Sequence, residues 1–254
     1  RSAGSFTVQG ESCYVPSWSQ EFSVASQNVG GAVRLVGTLT NTTAEAMDVR
    51  MLAPAGLGDV KDSDKLTLAP GATGTFTIDT GRAQVPAGEV TFRQYRWVTE
   101  IGAPGKGFTQ NQPVPFAAAS LAPKSLPPVV GQCVFDPDAH ASSAPVTLTF
   151  DNSGSTLPVQ FTVAGRDDLA RTVAAGQTET VRTSVGAQGA TFTVLADGVQ
   201  VANHAVPGVS CYVPDWTVKA SATSAVVDRT VRLTGRLTNS SNESMQVSMV
   251  TPFG

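Results

Sequence analysis

The side chains that could support chemistry are few and widely spaced. Only two histidines occur, His140 and His204, and neither stands beside a serine or cysteine in a nucleophile motif. "GTLT" and "NSGS" read as ordinary strand and turn pieces. No catalytic residues are expected, and the chain is read as a non-enzyme. "DPDAH" sets Asp136, Asp138 and His140 at alternating positions, so an extended strand there would carry three ligands for a divalent ion on one face. The competing reading is a solvated loop, since the segment lacks the extra oxygen ligands and the glycine of a dedicated calcium loop. No metal or other cofactor is expected.

Two further groupings invite a test. Lys61 and Lys65 could meet Asn41 across a sandwich and form an isopeptide bond, but Lys219 takes the place of Glu21 in the repeat described below and carries no such restraint. In "FRQYRW" a strand would put Arg93, Tyr95 and Trp97 on one face and Phe92, Gln94, Arg96 and Val98 on the other. The first set is a candidate ligand face, able to stack on a sugar ring or hold a protein partner. In the alternative, Tyr95 and Trp97 complete the core and Phe92 covers an edge. Asn41, Asn239 and Asn242 each begin an Asn-x-Ser/Thr triplet, a pattern that Thr-rich turns produce by chance.

The three cysteines acquire a logic from an internal repeat. "SCYVP" spans residues 12–16 and returns at 210–214, an offset of 211 − 13 = 198 residues. The match runs without a gap from Ser12–Gly56 onto Ser210–Gly254, with about half the positions identical. Cys13 and Cys211 are then one position in successive periods, which leaves two cysteines per period. Cys133 can pair with Cys211 or with Cys13. The first is favoured because it closes the shorter unit at both ends, and Cys13 would then pair with a cysteine preceding the segment. Free thiols and a zinc site are the alternatives, and no Cys-x-x-Cys supports zinc. A disulfide implies an oxidising compartment. Tyr14 recurs as Tyr212 and Trp18 as Trp216, which points to packing at a domain junction.

The elements that must position these residues read as strands. "AVRLVGTLTNTT" and "AMDVRML" alternate apolar Val33, Leu35, Leu39, Met47, Val49 and Met51 with polar neighbours. The second copy keeps Val231, Leu233, Leu237, Met245, Val247 and Met249 in the same places. "KLTLAPGATGTFTID" and "GEVTFRQYRWVTE" add strands parted by turn signals. "VTLTFDNSGSTLPVQFTV" and "RTVAAGQTETV" repeat the theme in a shorter unit. The Pro-rich "LAPKSLPPVVG", residues 121–131, reads as a linker or domain edge. The expected organisation is the last strand of a small domain (1–11), a larger sandwich (12–128), a smaller one (129–210) and the start of a second larger one (211–254).

Composition agrees with an all-β fold: 41% apolar and 15% charged residues, scarce lysine, abundant Thr, Ser, Val and Gly. A net charge of −3 with scattered basic residues provides no cationic stripe for nucleic acid. No apolar run is long enough for a bilayer-spanning helix, and no membrane insertion is expected. The segments "CVFDPDAHASSAPVTLTFDNSGSTLPVQFTV" and "RTVAAGQTETVRTSVGAQGATFTVLADG" resemble the repetitive Ig-like domains of secreted and wall-anchored actinobacterial surface proteins. That resemblance covers residues 133–211 well and the larger unit loosely, and it implies an extracellular scaffold without naming a ligand. The resulting expectation is an all-β array of tandem Ig-like β-sandwiches, alternating larger and smaller with a period of 198 residues. Its function would be structural or adhesive, in a cell-surface stalk or fibre whose partners are neighbouring Ig-like domains, a cell-surface protein or polysaccharide. The alternative is a polysaccharide-binding accessory region of a secreted enzyme.

Overall fold

A computed structural model describes residues 14–98, 105–214, 216, 218–241 and 243–250. Cys13, Asn242 and the strand expected within residues 1–11 lie outside the described residues. The protein is all-β. Among the described residues the only helical element is the 3-10 turn Ala55–Leu57, and no helix is long and apolar enough to cross a membrane.

The first hairpin joins β1 (Glu21–Val29) to β2 (Ala32–Thr40) through Gly30 and Gly31, both at positive φ, where a missing Cβ removes the steric cost. It is followed by β3 (Met47–Leu52), β4 (Leu66–Leu68), β5 (Thr73–Arg82), β6 (Gln84–Val85), β7 (Gly88–Val98), β8 (Lys106–Phe116) and β9 (Ala119–Ser120). One sheet has the order β1-β2-β5, a second β4-β3-β7-β8, and β6 pairs with β9. Alternate residues of these strands point to a shared core: Leu35 and Leu39 on β2, Phe76 and Ile78 on β5, Val49 and Met51 on β3, Val90 and Phe92 on β7. Phe92 joins the two layers, with ring centroids 5.2 Å from Phe22 and 5.6 Å from Phe76. Gly37 makes room for it. A Cβ built there would lie 2.5 Å from Met51 Sδ and 2.6 Å from Phe92 Cζ.

The next strands are β10 (Lys124–Val130), β11 (Val134–Asp136), β12 (Ala141–Asp151), β13 (Val159–Val163), β14 (Arg166–Val173), β15 (Thr178–Gly186), β16 (Ala190–Ala196) and β17 (Val199–Val206). β12 pairs with β10, β11 and β15, and the second sheet runs β14-β13-β16-β17. Phe150 of β12 stacks on Phe161 of β13 at 5.0 Å between centroids, so these sheets also face each other across a core. The Pro-rich stretch, expected as a linker or domain edge, contains β10, an outer strand along β12. Its register shifts between Leu126 and Val129, at Pro127 and Pro128. Proline is tolerated there because a bulged outer strand does not need every backbone N–H for its ladder.

Buried asparagines hold the loop after a central strand in both units. Asn41 Nδ2 donates to the carbonyls of Glu45 (2.8 Å) and Leu68 (3.0 Å). Asn152 Nδ2 donates to those of Leu157, Val173 and Ala174. The Asn41 triplet is therefore a turn device, since its amide is buried and already spent on backbone acceptors. The last described strands, β18 (Val218–Val227) and β19 (Thr230–Asn239), form a hairpin in the register of β1 and β2: Phe22 faces Leu39, and Ala220 faces Leu237.

Candidate ligand face and the clasped junction

The strand "FRQYRW" lies within β7, and the fold decides between its two readings. Phe92, Gln94 and Arg96 face inward and are buried, whereas Arg93 and Trp97 face outward and Tyr95 is half-buried on the same outer face. Tyr95 and Trp97 do not complete the core, and Phe92 is a central core residue rather than an edge cover. The reason lies on β8, where Trp97 pairs with Gly107 and Tyr95 with Thr109. A Cβ on Gly105 would meet Trp97 Cζ2 at 2.7 Å, and one on Gly107 would meet the Tyr95 hydroxyl at 2.8 Å. The two rings lie against backbone that no side chain covers. Trp97 remains 63% exposed.

Polar groups flank this platform on the same face. Arg93 stands opposite Arg50 of β3 on one side and Asn111 of β8 on the other, and donates to Asn111 Oδ1 at 3.2 Å. Register partners Arg50 and Arg93 put two cations on neighbouring strands of one face, where an anion could meet both. Asp48, opposite Tyr95, accepts from Lys65 Nζ at 2.8 Å and from Thr67 Oγ1 at 2.6 Å. The hydrogen bond from Lys65, and after it that from Thr67, holds the Asp48 carboxyl below its ordinary value, so it is charged at neutral pH. Asp48, Arg50, Lys65, Arg93 and Tyr95 line a depression of about 270 Å3. Flat rings beside paired cations and an amide suit stacking on a sugar ring together with capture of an anionic substituent.

The inward face of the same strand carries a feature that the sequence did not reveal. The Gln94 side chain closes a two-way clasp on Ser19, accepting from its N–H at 2.9 Å and donating to its carbonyl at 3.2 Å. Arg96, whose side chain is 2% exposed, pairs with Glu45, donates to Thr43 and lies over the Trp18 ring at 5.6 Å. The Tyr14 hydroxyl donates to Glu45, which raises the Tyr14 pKa, and its ring packs on Phe108 at 5.6 Å. Tyr14 and Trp18 are thus held at the end of the first sandwich. Alternation assigns Gln94 and Arg96 to a buried face, but their partners lie about 50 to 80 residues away in sequence, and no local pattern announces them.

Tyr212 packs on Phe135 of β11 at 4.9 Å and donates to Glu243, so it touches both the middle unit and the last hairpin's loop. Trp216 is 72% exposed. Cys133 and Cys211 form a disulfide with Cα atoms 5.9 Å apart, and the Cys211 N–H donates to buried Ser142 Oγ at 3.1 Å. The first and middle units also touch directly. Asn28 Nδ2, at the tip of the first hairpin, donates to Pro158 O (2.8 Å) and Asp197 Oδ2 (2.7 Å), and Ser120 and Thr156 exchange hydrogen bonds.

The remaining candidates separate. Asp136 Oδ1 caps a tight turn by accepting the N–H groups of Asp138 and Ala139, so Asp136, Asp138 and His140 do not share one face of an extended strand. Among the described residues no group of three His, Cys, Asp or Glu side chains is arranged to hold a metal ion. Lys65 pairs with Asp48 while the Asn41 amide is bound to backbone, so Lys65 and Asn41 are not brought together. His204, which the sequence left isolated, meets Ser125 at 3.0 Å and ties β10 to β17 across the two sheets of its unit. Comparison of the chain with models of protein families and with curated proteins finds no match.

Proposed function

We propose that the chain is part of an extracellular structural or adhesive stalk, built from larger and smaller Ig-like sandwiches that alternate with a period of 198 residues. The observation that carries this reading is the placement of the disulfide. Cys133 lies near the entrance of the middle unit and Cys211 at its exit, so tension along the chain passes through the covalent link and bypasses the core between them. Three further features support the reading. The β1-β2-β5 and β4-β3-β7-β8 orders place the second strand between the first and fifth, as Ig-like Greek keys do. The last hairpin repeats the register of the first at the offset of 198. The Asn28 and Ser120 hydrogen bonds join neighbouring units at two points, as consecutive domains of an array would. The expected partners are neighbouring domains of the same kind. Intact mass and a non-reducing peptide map of the protein from its source test the proposal: a mass far above 26.2 kDa, with Cys133 linked to Cys211, is expected. A mass equal to this segment would overturn the array.

A second reading rests on the outward Arg93, Tyr95 and Trp97 face: the stalk, or an accessory region of a secreted enzyme, holds an anionic polysaccharide. Trp97→Ala should then abolish saturable binding to uronate-bearing polysaccharide while changing stability by less than about 1 kcal/mol, because the ring is mostly solvent-exposed. Arg93→Ala should weaken binding chiefly at low salt. Binding that survives both substitutions, measured by calorimetry, would remove this face from consideration.

A further inference from the structure

The outer face of the β4-β3-β7-β8 sheet carries two neighbouring rows of side chains, set by cross-strand register, and the rows differ in charge. In one, Arg93 stands between Asn111 of β8 and Arg50 of β3. In the other, Tyr95 stands between Thr109 of β8 and Asp48 of β3, with Thr67 of β4 beyond Asp48. Arg93 and Tyr95 are two positions apart on one strand, so the rows lie about 7 Å from each other. Adjacent rings of a glycan lying along β7 reach both rows.

What each row offers follows from the hydrogen bonds it already makes. Arg93 spends its Nε on Asn111 Oδ1 at 3.2 Å, and its two terminal nitrogens, like the exposed Arg50 guanidinium, make no hydrogen bond among the described residues. This row is open to an anion. The Tyr95 row is already paired. Asp48 Oδ2 accepts from Lys65 Nζ at 2.8 Å and Oδ1 from Thr67 Oγ1 at 2.6 Å, while the side chain stays 24% exposed. A second anion brought here meets the Asp48 charge with Lys65 already spent on it. An uncharged sugar can stack on Tyr95 and donate hydroxyls to the lone pairs that Asp48 keeps.

We propose that this face selects a polysaccharide in which acidic and uncharged sugars alternate, the acidic substituent held between Arg50 and Arg93 and the uncharged ring lying on Tyr95 beside Asp48. The inference rests on the anionic-polysaccharide reading above. It adds to that reading a charge pattern and the residue that enforces it. A polymer charged on every ring gains at Arg50 and Arg93 but sets a further carboxylate against Asp48, and specificity comes from such a repulsive contact as much as from the attractive one. Lys65 moderates the repulsion, so Asp48 and Lys65 move selectivity in opposite directions.

Calorimetry at about 0.15 M salt, where charges more than about 8 Å away are screened, tests this with two ligands of equal length. One is a hyaluronan hexasaccharide, in which glucuronate alternates with N-acetylglucosamine, and the other is hexagalacturonate, charged on every ring. The alternating ligand is expected to bind about tenfold more tightly. Asp48→Asn should close that gap by strengthening hexagalacturonate while leaving the hyaluronan affinity within about twofold, and Lys65→Met should widen it about threefold. Both substitutions lie on the outer face and spare the core. Equal affinities in the parent chain, or a gap that Asp48→Asn leaves unchanged, would overturn the charge pattern but leave the ligand face standing if Trp97→Ala still abolishes binding. Saturable binding of neither ligand would overturn the ligand face itself, and the charge pattern with it.

Discussion

Reduction of the Cys133–Cys211 disulfide is expected to destabilise the middle unit by about 4.5 kcal/mol, the chain-entropy value for a loop closed across 78 residues. For a unit of this size such a loss is most of the stability a single domain has. Cys133→Ala with Cys211→Ala should reproduce it without reductant. The first unit, whose core is built by Phe76, Phe92 and Met51, should keep its own transition, so the melting profile should split into two steps. Under tension the same bond has a second signature. Pulled from beyond residues 124 and 211, the oxidised middle unit should release only the short length of β10, which precedes Cys133 and lies outside the disulfide loop. After reduction it should release about 270 Å, which is 78 residues at about 3.5 Å each. Release of that length without reductant would show that the load does not run through the disulfide, and the stalk reading would lose its main support.

The strands themselves were legible because apolar residues return on one face. Met47, Val49 and Met51 alternate with Asp48 and Arg50, Leu35 and Leu39 flank Gly37 on one face of β2, and all five apolar side chains are buried. "FRQYRW" was legible only in part. Alternation grouped Arg93 with Tyr95 and Trp97, but both faces of that strand carry an aromatic residue and an arginine, so hydrophobicity does not tell inside from outside. The decision is made on the neighbouring strand, by the bare backbone of Gly105 and Gly107 beneath the two rings. The Pro-rich stretch was legible only in part for a related reason. Pro127 and Pro128 forbid regular pairing, which reads as a linker or domain edge, yet a bulge lets Lys124–Leu126 and Val129–Val130 pair with β12 on either side of them. "DPDAH" alternates like a strand, but Asp136 uses its own carboxylate to cap a turn, a local competition that spacing alone does not show.

Glu45→Ala should destabilise the first unit by about 2 to 3 kcal/mol, more than Arg96→Met does, although arginine is the buried partner. The asymmetry follows from solvation. The Arg96 side chain is 2% exposed and that of Glu45 51%, so removing Glu45 strands a cation that water cannot reach, while removing Arg96 leaves an acid that water can solvate. Methionine would also keep the packing of the arginine stem against Trp18, and Arg96 Nε is already buried without a hydrogen-bond partner. The cost of Glu45→Ala is set somewhat below the usual 3 to 5 kcal/mol for breaking a buried pair because Thr43 still accepts from the guanidinium. The double variant should be no less stable than Glu45→Ala alone, since it removes the stranded charge, and added salt should lower the cost of Glu45→Ala only in part, because Arg96 is buried while Glu45 is open to solvent. Urea unfolding followed by Trp18 fluorescence, in a background carrying Trp97→Phe and Trp216→Phe, measures all three variants. Equal costs for the two single substitutions would mean that packing, rather than the Arg96–Glu45 charge pair, holds the Tyr14 to Ser19 segment against the end of the sandwich.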